Sequence, residues 1–350
     1  MTLVQTILEV NFMWGRTDLL DESDEMVKHR TAVEKDVLTD SEGIKFEESR
    51  IGAVLITSIE VNEDGEKRIG KKKGKYITLT DLTVNPDDQE SFEALKKIFI
   101  QKLEEMHGNL SLTKSSKVLI IGLGNSTITP DAIGPKAIEY LQGSSISQME
   151  NNVKVVMYAP GVTGQTGFET SNFIEAISKA FKPDLIVVLD ALAARNSERL
   201  CKTIQLTNTG IHPGSGVGNE RKEVSEEVYG IPVTAIGIPM VVDGPVLYAD
   251  AMEHVIHYIA SKIEEKGSPS SALAVTPMVS NKKSSLDKKV LQPIFGEWVT
   301  WPTEEKRKLF EEVFVGKNSS LFVTPKETDA WVEQYAYLLS EGIETWITNR

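Results

Sequence analysis

Cysteine is nearly absent from this chain. Cys201 is the only one in 350 residues, so no disulfide can form within the molecule and a reducing compartment is expected. Basic charge is also scarce. The 38 Lys and Arg against 51 Asp and Glu leave a formal charge of −13, whereas a grip on nucleic-acid phosphates needs a basic face. Direct nucleic-acid binding is therefore not expected. No apolar run reaches 18 residues, so no membrane-spanning helix is expected. The N-terminal stretch lacks the basic start, apolar middle and small-residue cleavage site of a secretory signal, and a cytoplasmic location is expected. Several motifs are missing too. There is no HExxH helix and no G-x-S-x-G elbow. The stretch Val118-Leu-Ile-Ile-Gly122-Leu123-Gly124 leads towards a phosphate loop, but the third glycine of a dinucleotide fingerprint is replaced by Thr127 and no P-loop lysine follows.

What is present has a regular order. Residues 1 to about 45 are polar and acidic with little periodicity, as in an extension. Two β-rich runs flank Asp64-Gly65 and predict a hairpin, with the basic run Gly70-Lys-Lys-Lys-Gly-Lys75 as its solvated tip. Phe92, Leu95, Ile98, Phe99 and Leu103 recur at helical spacing within 87–107. From residue 117, short apolar runs alternate with helical stretches, the signature of βα units. The fold class expected is α/β, a mostly parallel sheet flanked by helices, with an added N-terminal β-hairpin region and C-terminal helices. Residues 265–290 are rich in Ser, Lys and Pro and read as an exposed linker.

In open parallel sheets, functional groups gather beyond the carboxyl ends of the strands. Four loops are assigned to that edge: 122–134, 159–168, 190–195 and 207–219. Asp131 lies in the first, and Asp190 ends the run Leu185-Ile-Val-Val-Leu-Asp190. Each alone could cap a helix or close a turn. Two carboxyls held close in a partly dry cleft share a proton, so one can activate water while the other protonates a leaving group. Backbone N–H groups around Gly124 and Asn125, and in the glycine-rich loop carrying His212, Gly214 and Gly216, are candidate substrate or oxyanion contacts. Asp131, Asp190 and His212 could alternatively serve as ligands of a divalent metal. His254 and His257, at i and i+3, read as solvated or interface histidines, and Cys201 as a half-buried strand thiol.

Five stretches go further together: Gly122-Leu-Gly-Asn-Ser-Thr-Ile-Thr-Pro-Asp131-Ala-Ile-Gly-Pro135, residues 159–171, Lys182 to Arg195, Thr203 to Asn219, and Ile231 to Gly244. In this order they resemble the germination proteases of spore-forming bacteria, over most of the chain. The resemblance implies an α/β fold similar to hydrogenase-maturation proteases. It implies an endopeptidase that starts the degradation of small acid-soluble spore proteins at germination, made as a zymogen and working as a homotetramer in the spore core; no cofactor is expected, with a divalent metal as the alternative. It matches the catalytic aspartates to Asp131 and Asp190. It also implies self-cleavage near Arg16-Thr-Asp18-Leu19, between Asp18 and Leu19, with residues 1–18 as prosegment and 19–350 as one peptidase domain. A metal-dependent peptidase on the same aspartates plus a histidine, or a hydrogenase-maturation-like protease, stands as the alternative.

Overall fold

The sheet is built around β4 (Lys117–Gly122), which pairs in parallel with β5 (Lys154–Tyr158) on one side and β6 (Leu185–Ala194) on the other. The structure, a computed structural model, describes residues 43–107, 112–113, 115–148, 153–162, 169–213, 222–265, 291–315 and 321–349. Contacts divide the chain into two units, residues 1–241 with 324–350, and residues 242–323. The proposed prosegment, Asp18, Leu19, Gly214, Gly216 and residues 266–290 of the linker all lie outside the described residues.

The first unit holds the strands β1 (Ile44–Ile51), β2 (Val54–Val61), β3 (Gly74–Thr80), β7 (Thr203–Thr207) and most of β8 (Val233–Asp243), in the order β1-β2-β3-β7-β8-β6-β4-β5. The α/β class holds, with helices flanking the sheet, but the sheet is mixed rather than mostly parallel. The pairs β1–β2, β2–β3, β3–β7 and β7–β8 are all antiparallel. The expected N-terminal β-hairpin region is present as β1, β2 and β3, and it joins the main sheet through the β3–β7 pair. β1 itself is an edge strand that the charged, aperiodic reading of the N-terminal region passed over.

Packing follows from side-chain alternation. Val118, Ile120, Val187 and Leu189 face one core with α2 (Gln89–Met106), α3 (Ile133–Gly143) and α9 (Thr328–Thr348). Leu119, Ile121, Ile186 and Val188 face a second core with Ile174 of α4 (Thr170–Phe181). A strand buried on both faces reads as a continuous apolar run, which is why "VLII" and "LIVVL" were legible as strands. α2 starts where the Asp88 carboxylate caps the Ser91 N–H at 3.1 Å, and its apolar stripe is buried as the spacing predicted. Tyr335 and Trp346 of α9 are wholly enclosed. Burying a large side chain of this kind contributes roughly 2–3 kcal/mol. Phe92 meets Tyr335 edge-on at 5.1 Å.

Three local readings change. The link from β2 to β3 is a short helix, α1 (Glu63–Ile69), not a tight turn. The Asn62 side chain accepts from the Asp64 and Gly65 N–H groups, so the Asp-Gly pair becomes a first helical turn, and Gly70 closes the helix at φ +70°. The basic run after it is paired: Lys72 with Glu223 and Glu227, Lys73 with Glu63, and Lys75 with Glu60. Cys201 is fully buried in a turn before β7, not half-buried in a strand. It adopts φ +56°, its Sγ lies 3.9 Å from Met240 Sδ, and burial pushes the thiol up to about 12.

The first unit also holds the short α5 (Glu226–Tyr229), and the second unit comprises α6 (Gly244–Glu265), α7 (Gln292–Phe295), α8 (Thr303–Val315) and β9 (Phe322–Val323), which pairs with Val242 and Asp243 at the end of β8. Ile256 and Ala260 of α6 pack with Leu291 and Val299, and Tyr248 stacks on Phe314 at 4.7 Å. Lys306, buried, is held by Glu253. His254 and His257 are exposed on α6. Among the described residues no helix is long and apolar enough to cross a membrane.

Candidate active site

Asp131 reaches its position through a loop that folds back on its own start. After β4 ends at Gly122, the chain runs to a single 3-10 turn, Thr129–Asp131, from which α3 departs. The Ile128 N–H donates to the Asn125 carbonyl at 3.0 Å, and the Asp131 N–H to the Ile128 carbonyl at 2.8 Å. The Asp131 carboxylate then returns to the beginning of the loop, where its Oδ2 accepts the Asn125 N–H at 2.8 Å. Gly124 makes that return possible. Its φ of +118° belongs to the region that favours glycine. A Cβ there would also lie only 1.9 Å from the Asp131 carbonyl oxygen.

Asp190 is not the end of its strand, as the sequence suggested, because β6 continues four residues further to Ala194. The partner strand stops instead. Gly122 is the last β4 residue in register, opposite Leu189, and the Leu123 N–H donates to the Leu189 carbonyl at 2.8 Å. Asp190 is therefore the first residue of β6 to clear the end of β4. It is nearly out of solvent, at 7 % exposure, and its Oδ1 accepts the Ala191 N–H at 2.9 Å. Gly134, at the start of α3, lets backbone meet backbone here: a Cβ on it would lie 2.2 Å from the Leu123 carbonyl and 2.7 Å from the Leu189 carbonyl. The turn carrying Asp131 packs against β6. Both acids thus sit at the carboxyl end of the β4–β6 pair, one half-buried and one buried.

Placement of the remaining candidates divides them. Gly124 and Asn125 belong to this end, but the Asn125 N–H is committed to the Asp131 carboxylate, so it holds an acid rather than standing ready for an oxyanion. His212 lies elsewhere. The Ile186 N–H donates to the Pro232 carbonyl, so β8 sets out beside the start of β6. β7 runs against β8 with Thr207 opposite Ala235, and the chain leaves β7 at the end of the sheet where β6 and β8 begin. There the His212 Nε2 lies 3.7 Å from Glu223 Oε1, while the other Glu223 oxygen takes Lys72 at 2.9 Å. The structure accordingly does not gather Asp131, Asp190 and His212. Among the described residues no three His, Cys, Asp or Glu side chains form a group that could hold a metal ion. Sequence reasoning gave Thr127 no role, although its N–H and Oγ1 both bond the Asn125 side chain, at 3.0 and 2.7 Å. An Asn two residues before a Thr in a glycine-started loop was the available signal.

The family model described as germination protease matches residues 21–350. The chain belongs to the germination protease family. It is 38% identical to the germination protease of Halalkalibacterium halodurans over 344 residues, covering 94% of this chain and 92% of that protein. It is 39% identical to that of Priestia megaterium over 316 residues, 86% and 85% of the two chains. Against the Bacillus subtilis germination protease it is 36% identical over 351 residues, 97% and 94% of the two. Among solved structures it matches a NiFe hydrogenase maturation protease from Thermococcus kodakarensis, at 20% identity and a TM-score of 0.28, over 40% of this chain and 80% of that one. As a germination protease family member the chain is a peptidase, a hydrolase of amide bonds.

Proposed function

We propose that this peptidase is an endopeptidase that begins the degradation of small acid-soluble spore proteins during germination, and that Asp131 and Asp190 perform the hydrolysis. The observation that supports the reading is the packing of the Asp131 turn against β6, the strand whose Asp190 is the first residue to clear the end of β4. In this reading Asp190, nearly out of solvent, is the proton donor. Asp131, half-buried and held by the Asn125 N–H, is the carboxylate. It takes a proton from water as the water oxygen attacks the scissile carbonyl. Asp190 gives its proton to the departing amine, and the C–N bond breaks. Protonation and deprotonation by positioned groups of this kind typically contribute roughly 10²–10⁴-fold each. This chemistry draws on no cofactor.

Family membership supports the rest of the proposal: synthesis as a zymogen in the cytoplasm of the developing spore, assembly as a homotetramer, and self-processing between Asp18 and Leu19. The net charge of −13 suits an enzyme that takes its substrates without competing for DNA.

The test is turnover of one small acid-soluble spore protein by the wild type, Asp131→Asn and Asp190→Asn, with circular dichroism to monitor folding. Both variants are expected to keep the fold and lose activity by at least about 10³-fold. An active, folded variant of either residue sinks the reading. Exhaustive chelation separates the metal alternative: loss of activity restored by a divalent cation favours it, and indifference favours the acid pair. Mass spectrometry of the enzyme's N-terminus in the same incubation tests the Asp18–Leu19 bond.

A further inference from the structure

We propose that Asn125 and Thr127 are positioning residues that hold the Asp131 carboxylate at its working place, an inference that rests on the role given to Asp131 above. The loop from Gly124 to Asp131 is a closed circuit with Asn125 at both ends. Its side-chain oxygen accepts the Thr127 N–H and Oγ1–H, its carbonyl accepts the Ile128 N–H, and its own N–H returns to Asp131 Oδ2. Pro130 stands inside the 3-10 turn, where its fixed φ narrows the conformations available. The circuit sets the direction of one N–H group, and that group meets the carboxylate oxygen at 2.8 Å.

A merely structural turn would look similar, but burial separates the two accounts. Thr127 is exposed and Asn125 half-exposed, so these bonds add little to global stability, where surface hydrogen bonds compete with water. Their effect falls on the orientation of Asp131. Misplacing a reacting group by 1 Å costs on the order of 100-fold in rate. A carboxylate whose N–H donor is turned away from it also becomes easier to protonate.

The experiment measures kcat and KM across pH on a small acid-soluble spore protein for the wild type, Asn125→Ala, Asn125→Ser, Thr127→Val, Thr127→Ser and Asp131→Asn, with a thermal melt of each. Asn125→Ala is expected to lower kcat about 10- to 100-fold with KM nearly unchanged. The ascending limb of its kcat/KM profile should move to higher pH, and its melting temperature should stay near that of the wild type. Serine closes the same turn more weakly, so Asn125→Ser should fall between alanine and wild type. Thr127→Ser should match the wild type where Thr127→Val does not. Wild-type kcat in Asn125→Ala, or a loss that follows the melting temperature and ignores the serine variants, overturns the inference. If Asp131→Asn is itself active, the underlying reading fails instead; if it is dead while Asn125→Ala is fully active, only the positioning role fails.

Discussion

Replacing Gly124 with alanine tests whether backbone geometry at the end of β4 controls the chemistry. The added Cβ would lie 1.9 Å from the Asp131 carbonyl oxygen, 3.1 Å from its carbonyl carbon and 3.2 Å from its Oδ1. A comfortable non-bonded separation is about 3.5 Å, so the Asp131 turn must retreat by roughly 1.5 Å. It cannot retreat freely. Asp131 is tied to Asn125 through its side chain and to Ile128 through its N–H, and α3 begins two residues later. Alanine is also strained at a φ of +118°, a term of order 1–3 kcal/mol. At about 100-fold per ångström of misplacement, kcat/KM should fall by at least about two orders of magnitude, with a lower melting temperature. Gly143→Ala is the matched control, since a Cβ there meets nothing within 4 Å. As the last residue of α3, it should leave turnover unchanged and be neutral or stabilising by about 0.5–1 kcal/mol. The assay is turnover of a purified small acid-soluble spore protein, followed by mass spectrometry, beside thermal melts. A Gly124→Ala enzyme with wild-type kcat/KM refutes the argument, because it would mean that the placement of Asp131 does not depend on this contact.

Cys201, whose thiol burial holds at about 12, should resist thiol reagents in the native protein and react only once the chain is unfolded in denaturant. Cys201 and Tyr229, both raised by burial to about 12 from ordinary values of 9 and 10, contribute stability that is complete below pH 9. That contribution is lost as pH rises from 9 towards 12, because the unfolded chain releases these protons first. Urea unfolding at a series of alkaline pH values should show the decline. Tyr335→Phe removes the buried bond from the Tyr335 hydroxyl to the Cys201 carbonyl, 2.9 Å long, and should cost about 1–2 kcal/mol; equal urea midpoints would contradict that bond. Lys72→Ala removes two partly exposed ion pairs and should cost less than about 1 kcal/mol by the same measurement.

Legibility in the sequence varied with the range of the force involved. The apolar runs at 117–122 and 185–189 and the stripe at 92–103 declared their elements, because burial on two faces or on one stripe leaves a local pattern. Asp131 and Asp190 stood out because each follows such a run. Asn62 turned an apparent hairpin turn into a helix through two side-chain bonds, a local signal that the Asp-Gly pair overshadowed. β1, with most of its residues exposed at the sheet edge, carries charge on both faces and so shows no period.

Composition and local periodicity by themselves determined an α/β chain with one thiol, no apolar run of 18 residues and two acids following apolar strands, whereas the peptidase assignment rests on motifs shared with a family. Strand direction lay beyond them, because a strand looks the same to its own residues whether its neighbour runs with it or against it. Only the assembled sheet decided that β7 is antiparallel and carries His212 to the far end, away from the acids. Only it decided that β4 stops one residue short of Asp190, and that the N–H of Asn125 is spent on Asp131. These outcomes rest on pairings between residues distant in the chain, where register and backbone approach, rather than local pattern, fix which groups meet.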